Sequence, residues 1–344
     1  LRSRAAWSRN STTTHPPRSR SRHWPTRSTG SVSEGLHDER APNPSRLRFQ
    51  ACRSRTLDQG GRYATTRQRR GRLHRAVVTL PLTKLRSDAT FTRTESSALT
   101  TNPACKSKAA AAARLVLRHL GTNQGGVLHI RSNIPVGHGY GSSTADVVAA
   151  IRSVAAAHKI HLPPSRIGML AVAAEQASDA IAFDDQTVLF AQREGQVLED
   201  FGGSLPPLLI VGFKANGGRP IDTLRLPPAR YSSAEIQQFR VIRALVYRAV
   251  RYQDPYCLGR AATASAQISQ RHLPKQDFDS VIEIAIGASA CGIQVAHSGS
   301  LIGVLFDPAG TNVRRLARRA AAAAQQAGFS DVQFHRINDE GASW

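Results

Sequence analysis

A glycine-rich segment with three consecutive hydroxyl residues lies near the middle of the chain. Glycine occupies positions 137, 139 and 141, and Ser142, Ser143 and Thr144 follow directly. A β-branched run precedes this segment, and an alanine-rich amphipathic stretch follows it. Glycine lets the backbone approach a phosphate closely, and the first amides of a helix have no partner within the helix and attract anions. The pattern therefore predicts an anion-binding loop that leads into a helix.

The residue types leave several uses of this loop open. The hydroxyl groups can cap the helix, bind phosphate oxygens or ligate a divalent metal. The loop is not a Walker loop, because the chain contains no Gly-Lys pair. It also differs from the dinucleotide-binding fingerprint, in which glycines occupy the first, third and sixth positions. A glycine-rich turn that merely precedes a helix is the simpler alternative.

The segment Pro135–Asp146 resembles the second signature of the GHMP kinases, and its Ser-Ser-Thr-Ala-Asp end is most similar to the L-threonine kinase branch, which serves cobalamin biosynthesis. Glu175–Phe183 is similar to a Glu-Pro-Thr-Asp-Ser stretch of that branch. Ala296–Ser300 stands where the family has a glycine-rich third signature. The resemblance extends from about Ala76 to the C-terminus.

This resemblance implies a two-domain α+β fold, with a ribosomal-protein-S5-like N-terminal domain and a ferredoxin-like C-terminal domain. It implies ATP and Mg²⁺ as cofactors and phosphorylation of the L-threonine hydroxyl to O-phospho-L-threonine. Homoserine or another small alcohol is the alternative acceptor. An inactive kinase relic with a basic nucleic-acid-binding tail is the alternative from a different class of protein.

The resemblance also assigns roles to individual residues of the loop and of the helix that precedes Asp179. Ser143 and Glu175 are expected to hold Mg²⁺. The residues expected to bind the nucleotide are Pro135, Gly137, His138, Gly139, Gly141, Ser142, Ser143 and Thr144.

The acceptor side of the site is expected to contain a carboxylate. We expect Asp179 to orient or deprotonate the acceptor hydroxyl, and Asp184 and Asp185 are its rivals. Residues of the third segment are expected near the reacting phosphate or the substrate, and they are His297, Ser298 and Gly299.

Positive charge is concentrated at the N-terminal end of the chain. Of the net charge of +22, residues 1–75 supply +14 through 18 arginines, no lysine and 4 acidic residues, which leaves +8 for the other 269 residues. This leader is rich in Ser, Thr, Arg and Pro, and such a composition buries too little apolar surface to offset the entropy of ordering. We expect it to be disordered or mistranslated, with a nucleic-acid arm as a further alternative. Nucleic acid is therefore not the expected partner of the remainder.

The predicted organisation has a leader at 1–75, an ATP-binding domain at 76–205 and a C-terminal domain at 206–344. Within the leader, Thr56–Gly60 only weakly resembles the early glycine turn of the family. Apolar periodicity predicts helices at 106–120, 144–158, 165–175, 233–252, 259–272 and 313–326. Short apolar runs predict strands at 76–82, 88–92, 127–134, 208–213, 301–306 and 332–337.

The four cysteines are scattered and form no Cys-x-x-Cys pair, so neither a zinc site nor a disulfide framework is expected. Reduced thiols favour a cytoplasmic location. The chain contains no apolar run of about 18 residues, so no membrane span is expected.

Overall fold

Two β-sheets position the predicted site. The computed structural model describes residues 39–51, 74–184, 186–215, 230–296 and 299–338, with only the backbone described at 39–51. Asp185, His297, Ser298 and the Thr56–Gly60 segment lie outside the described residues.

The first sheet has six strands in the order β3-β4-β2-β5-β6, with β1 paired to β2. Strands β3 and β4 run parallel, and the other described pairs of this sheet are antiparallel. The strands are β1 (Glu39–Ala51), β2 (His74–Arg93), β3 (Leu99–Asn102), β4 (Gly126–Ser132), β5 (Val188–Ala191) and β6 (Gln196–Asp200).

Helices α1 (Ser107–His119), α2 (Ser142–Ala157) and α3 (Pro164–Glu175) pack with this sheet, and a short 3-10 helix spans Ala180–Phe183. Most residues of α2 are buried, because α2 lies against α1, α3 and β2. Alanine and valine dominate α2, and such a helix, apolar around its whole circumference, is typical of a core position. The loop between β4 and α2 is thereby attached to a fixed element at each end.

The second sheet has four strands in the order β10-β7-β9-β8, and all neighbours in it are antiparallel. This is the strand order of a ferredoxin-like domain, in which two β-α-β units are interleaved. Its elements are β7 (Leu208–Lys214), α4 (Ser233–Tyr252), α5 (Pro255–Gln270), α6 (Phe278–Gly287), β8 (Gly292–Val295), β9 (Leu301–Phe306), α7 (Val313–Gln326) and β10 (Ser330–Ile337). The predicted α+β class is confirmed.

One strand falls within the predicted leader, and the expectation that this leader is disordered or mistranslated stays a prediction. Strand β1 lies within residues 1–75 and pairs antiparallel with β2 along its length. A strand beside β2 needs only backbone N–H and C=O groups to complete the ladder, so a polar composition does not prevent the pairing. Residues 1–38 and 52–73 lie outside the described part of the chain.

The domain boundary at 205/206 stays a prediction. It falls in the connection between β6 and β7, but one hydrophobic core continues across it, from α2 to Leu208, Phe239 and Leu258. A second core lies between the four-stranded sheet, α6 and α7. In the described residues, no helix is both long enough and apolar enough to span a membrane.

Candidate active site

The glycine loop has a backbone that only glycine adopts readily. Gly139 has a φ of +98° and Gly141, directly before α2, has a φ of +77°. A side chain at either position would favour a different backbone, because L-residues avoid this region. In the described part of the chain, no side chain caps α2. The first-turn amides of α2 are therefore left for another acceptor, such as an anion.

The hydroxyl groups at the start of α2 bind a carboxylate at the end of α3. Ser143 Oγ donates to Glu175 Oε2 at 2.9 Å, and Thr144 Oγ1 donates to Glu175 Oε1 at 2.8 Å. The two side chains are therefore not helix caps. Helices α2 and α3 bring Glu175 to the N-terminus of α2, although Glu175 lies 31 positions after Thr144 in the chain.

Burial raises the pKa of Glu175 above its ordinary value. Hydrogen bonds from Thr144, Ser143 and Ser178 lower this pKa, and the nearby charge of Asp179 raises it further. The ionised form of Glu175 is thus held at an electrostatic cost, which a positive ion would relieve.

Ser143 and Glu175 are hydrogen-bonded to each other, and the separation of their oxygens also fits two neighbouring ligands of Mg²⁺. Mg²⁺ binds oxygens at about 2.0–2.1 Å in an octahedron, so adjacent ligand oxygens lie about 3.0 Å apart. Ser143 Oγ and Glu175 Oε2 lie 2.9 Å apart. No group of three or more His, Cys, Asp or Glu residues that could enclose a metal occurs among the described residues. A site with few protein ligands suits Mg²⁺, which keeps waters and binds substrate phosphates.

Asp179 is buried beside this pair, and its rival Asp184 is not. Asp179 is buried, and its Oδ1 accepts a hydrogen bond from Gln192 Nε2 at 3.1 Å. Asp184 accepts from Arg152 Nη2 at 2.8 Å and 2.9 Å and is 54 % exposed. The charge of Asp179 acts on Glu175, whereas Asp184 is paired with Arg152.

Gly299 of the third segment lies directly against the glycine loop. A Cβ atom at this position would lie 2.5 Å from the carbonyl oxygen of His138 and 2.7 Å from the amide nitrogen of Gly139. Its φ is +89°. The two glycine-containing segments thus form one backbone surface, and the functional role of Gly299 stays a prediction.

The other predicted loop residues differ in exposure. Gly137 and Val136 are exposed, and Pro135 and His138 are half-buried. His138 Nδ1 is buried and has no hydrogen-bond partner in the described part of the chain. The roles of Pro135, Gly137 and His138 in nucleotide binding stay predictions.

Tyr140, which the sequence did not single out, anchors the loop to the second sheet. Its fully buried ring packs edge-on against His335 of β10, with ring centroids 6.1 Å apart. Burial raises the pKa of Tyr140 to about 12 and lowers the pKa of His335 to about 4, so both side chains are neutral near pH 7. The loop is therefore held by packing between neutral rings.

Asp146 is a second residue whose contacts were not predicted. Its carboxylate accepts from Ser87 Oγ at 2.7 Å and from Lys106 Nζ at 2.6 Å. This network fixes the first turn of α2 to β2 and to the N-terminus of α1. Residues 59 and 40 positions away supply these donors, so no local pattern could have indicated them.

Comparison with known protein families identifies the part of the chain that carries this site. Residues 107–192, which include the glycine loop, Glu175 and Asp179, match the family described as GHMP kinases N terminal domain. Residues 107–192 are a GHMP kinase N-terminal domain. The predicted resemblance to the GHMP kinase superfamily is therefore confirmed over these residues.

Two L-threonine kinases are similar to this chain. That of Citrobacter freundii is 35 % identical over 186 residues, which are 52 % of this chain and 62 % of the relative. That of Salmonella typhimurium is 34 % identical over 197 residues, which are 56 % of this chain and 63 % of the relative. The chain thus spans less than two thirds of either relative.

A solved structure has a similar fold. The crystal structure of a homoserine kinase from Cytophaga hutchinsonii superposes with a TM-score of 0.60 and 14 % identity, covering 90 % of this chain and 98 % of that protein. At this identity the likeness concerns the fold alone. The predicted two-domain GHMP-kinase-like fold agrees with it.

Proposed function

We propose that this chain is a kinase that uses ATP and Mg²⁺ to phosphorylate the hydroxyl of L-threonine, which gives O-phospho-L-threonine. The arrangement around Glu175 carries the proposal: two hydroxyl groups at an uncapped helix N-terminus bind one buried carboxylate, and a second carboxylate, Asp179, lies beside it. The similarity to two L-threonine kinases supports the choice of acceptor.

Under this proposal, different residues bind the triphosphate, hold the metal ion and act on the acceptor hydroxyl. The amides of the glycine loop and of the first turn of α2 bind the triphosphate oxygens. Ser143 and Glu175 hold Mg²⁺, which when bound neutralises charge on the phosphate oxygens. The threonine oxygen forms a bond to the γ-phosphorus while the bond from that phosphorus to the bridging oxygen of ADP breaks.

Asp179 takes the hydroxyl proton or orients the hydroxyl for attack. Its hydrogen bond with Gln192 fixes one carboxylate oxygen, Oδ1, at 3.1 Å from the amide nitrogen. A buried and oriented carboxylate beside the metal-binding pair suits either role, because phosphoryl transfer depends chiefly on positioning.

The acceptor is tested by ADP release from the full chain with Mg²⁺ and ATP. L-threonine, L-serine, L-homoserine and simple alcohols that lack the amino acid group are offered at equal concentrations. We expect the highest kcat/KM with L-threonine. A much higher kcat/KM with another alcohol would reject threonine as the acceptor and retain the kinase. ATP binding without any phosphorylation would favour the inactive relic. The cytoplasmic location and the link with cobalamin biosynthesis stay predictions.

A further inference from the structure

A buried lysine outside the predicted motifs contacts the third segment. Lys275 lies in the connection between α5 and α6, and only 7 % of its surface is exposed. Its Nζ donates a hydrogen bond to the carbonyl oxygen of Gly299 at 2.5 Å. Its own amide donates to Gln270 Oε1 at 2.6 Å, which fixes the lysine backbone to the end of α5.

Gly299 also lies against the glycine loop and so connects Lys275 with that loop. Its α-carbon lies so close to the His138–Gly139 peptide that a single added methyl group would overlap with it. Lys275, the backbone at Gly299 and Ser300 (the Gly299 turn) and the glycine loop therefore form a continuous series of contacts. A displacement of the turn would remove one wall of the loop that, under the proposed function, binds the triphosphate.

We propose that Lys275 is a positioning residue that holds the Gly299 turn against the glycine loop and so preserves the shape of the nucleotide site. The proposal rests on the proposed function only in taking the loop as the nucleotide site. It does not depend on which alcohol is phosphorylated.

The chemistry of lysine suits this role. Burial of an ammonium group is costly unless its protons are hydrogen-bonded, and a carbonyl oxygen accepts such a bond strongly because the donor is charged. The long side chain lets Lys275 reach across from the α5–α6 connection to the turn, 24 residues later in the chain. A neutral side chain of similar length would fill the space without making the bond.

The test compares Lys275→Met and Lys275→Arg with the wild-type full chain. Lys108→Met is the matched control, because Lys108 is an exposed lysine on α1. Three quantities are measured: the affinity for Mg·ADP by titration calorimetry, the hydrogen-exchange rate of the peptide that contains residues 296–301, and KM for ATP against kcat.

We expect Lys275→Met to weaken Mg·ADP binding by about 10-fold or more, the effect of losing one charged hydrogen bond. We also expect exchange at 296–301 to become faster, and KM for ATP to rise more than kcat falls. Lys275→Arg keeps a charged donor and is expected to restore most of the affinity and the slow exchange. Lys108→Met is expected to match the wild type.

Two results would overturn the proposal. In the first, folded Lys275→Met binds Mg·ADP as the wild type does. In the second, affinity falls while exchange at 296–301 is unchanged, which would mean that Lys275 contacts the nucleotide instead of holding the turn. If Lys275→Met does not fold, Lys275→Arg decides by the same two readouts. The proposal requires that Lys275→Arg exchange slowly at 296–301 and bind Mg·ADP with nearly the wild-type affinity. Slow exchange combined with weak binding would overturn the proposal.

The two proposals fail separately. A wild-type chain that binds Mg·ADP but phosphorylates no alcohol refutes the proposed function, and the affinity and exchange measurements on Lys275 stand. A wild-type chain without nucleotide affinity refutes both.

Discussion

Replacement of Gly299 by alanine tests whether the third segment shapes the glycine loop. The new Cβ would lie 2.5 Å from the carbonyl oxygen of His138, whereas ordinary contacts begin at 3.4 Å. The turn or the loop must therefore move by about 1 Å to restore ordinary van der Waals contact. Since both partners are backbone, no side-chain rotation relieves the overlap.

The backbone conformation of Gly299 adds a second cost, which a matched variant isolates. An alanine at a φ of +89° costs about 1–2 kcal/mol relative to glycine. Gly202 has a φ of +76° and no atom within 4 Å of an added Cβ. Gly202→Ala therefore carries the conformational cost without the overlap, and the difference between the two variants measures the overlap.

We expect Gly202→Ala to lose about 1–2 kcal/mol of unfolding free energy in urea and Gly299→Ala to lose more, because the overlap adds to the conformational cost. Only Gly299→Ala is expected to lose nucleotide affinity, by about 10-fold or more, because a 1 Å displacement of a positioned group costs that much or more in a preorganised site. Titration calorimetry with Mg·ADP measures the affinity. Equal affinities of Gly299→Ala and Gly202→Ala would refute the reasoning that the Gly299 turn is a wall of the nucleotide site.

Three further predictions concern the buried titratable groups. Glu175→Gln keeps a hydrogen-bond partner for Ser143 but removes the negative charge. We therefore expect an unchanged fold and a higher Mg²⁺ concentration at half-maximal ATP binding. An unchanged Mg²⁺ requirement would reject Glu175 as a metal ligand. Asp179→Asn is expected to leave ATP binding unchanged and to lower kcat about 10²–10⁴-fold. The control variant Asp184→Asn is expected to keep a normal kcat. A normal kcat in Asp179→Asn with a lowered kcat in Asp184→Asn would exchange the roles of the two residues. The pKa of His335 is about 6.5 in the unfolded chain and about 4 in the folded chain. Between these values the unfolded chain binds more protons, so the free energy of unfolding falls by about 2 kcal/mol on acidification from pH 7 to pH 5. Urea unfolding at both pH values should show this loss reduced in His335→Gln, and an equal loss in the variant would mean that His335 is not the group responsible.

Local patterns predicted most of the helices well and the four-residue strands poorly, and helix α6 was not predicted. The predictions for α1, α2, α4 and α7 agree with the structure to within two residues at each end, because each helix carries a clear apolar stripe or a clear start and stop. Strands β3, β5 and β8 contain four residues each and were not predicted. All four residues of β5 are buried, so the strand shows none of the alternation that marks a half-exposed one.

Within the site, contiguous residues could likewise be predicted from the sequence, whereas contacts between distant residues could not. The glycine loop and the hydroxyl residues after it are contiguous, so their types and spacing are sufficient to predict an anion-binding element. The hydrogen bond of Lys275 with Gly299 and that of Ser87 with Asp146 join residues 24 and 59 positions apart. Such contacts depend on how α5 approaches the second sheet and how β2 crosses α2, which no local pattern specifies.

The affinity for a nucleotide triphosphate tests most directly whether the glycine loop is the triphosphate site. A non-hydrolysable ATP analogue with Mg²⁺ is titrated calorimetrically into the wild type, Gly139→Val and Gly121→Val. Gly121 also has a positive φ, +67°, but has open space around an added Cβ, so it controls for backbone strain. We predict that the wild type and Gly121→Val bind the analogue with similar affinity, and that Gly139→Val binds at least about 10-fold more weakly, because its side chain blocks the approach of phosphate to the backbone. An unchanged affinity in folded Gly139→Val would contradict the assignment of the loop.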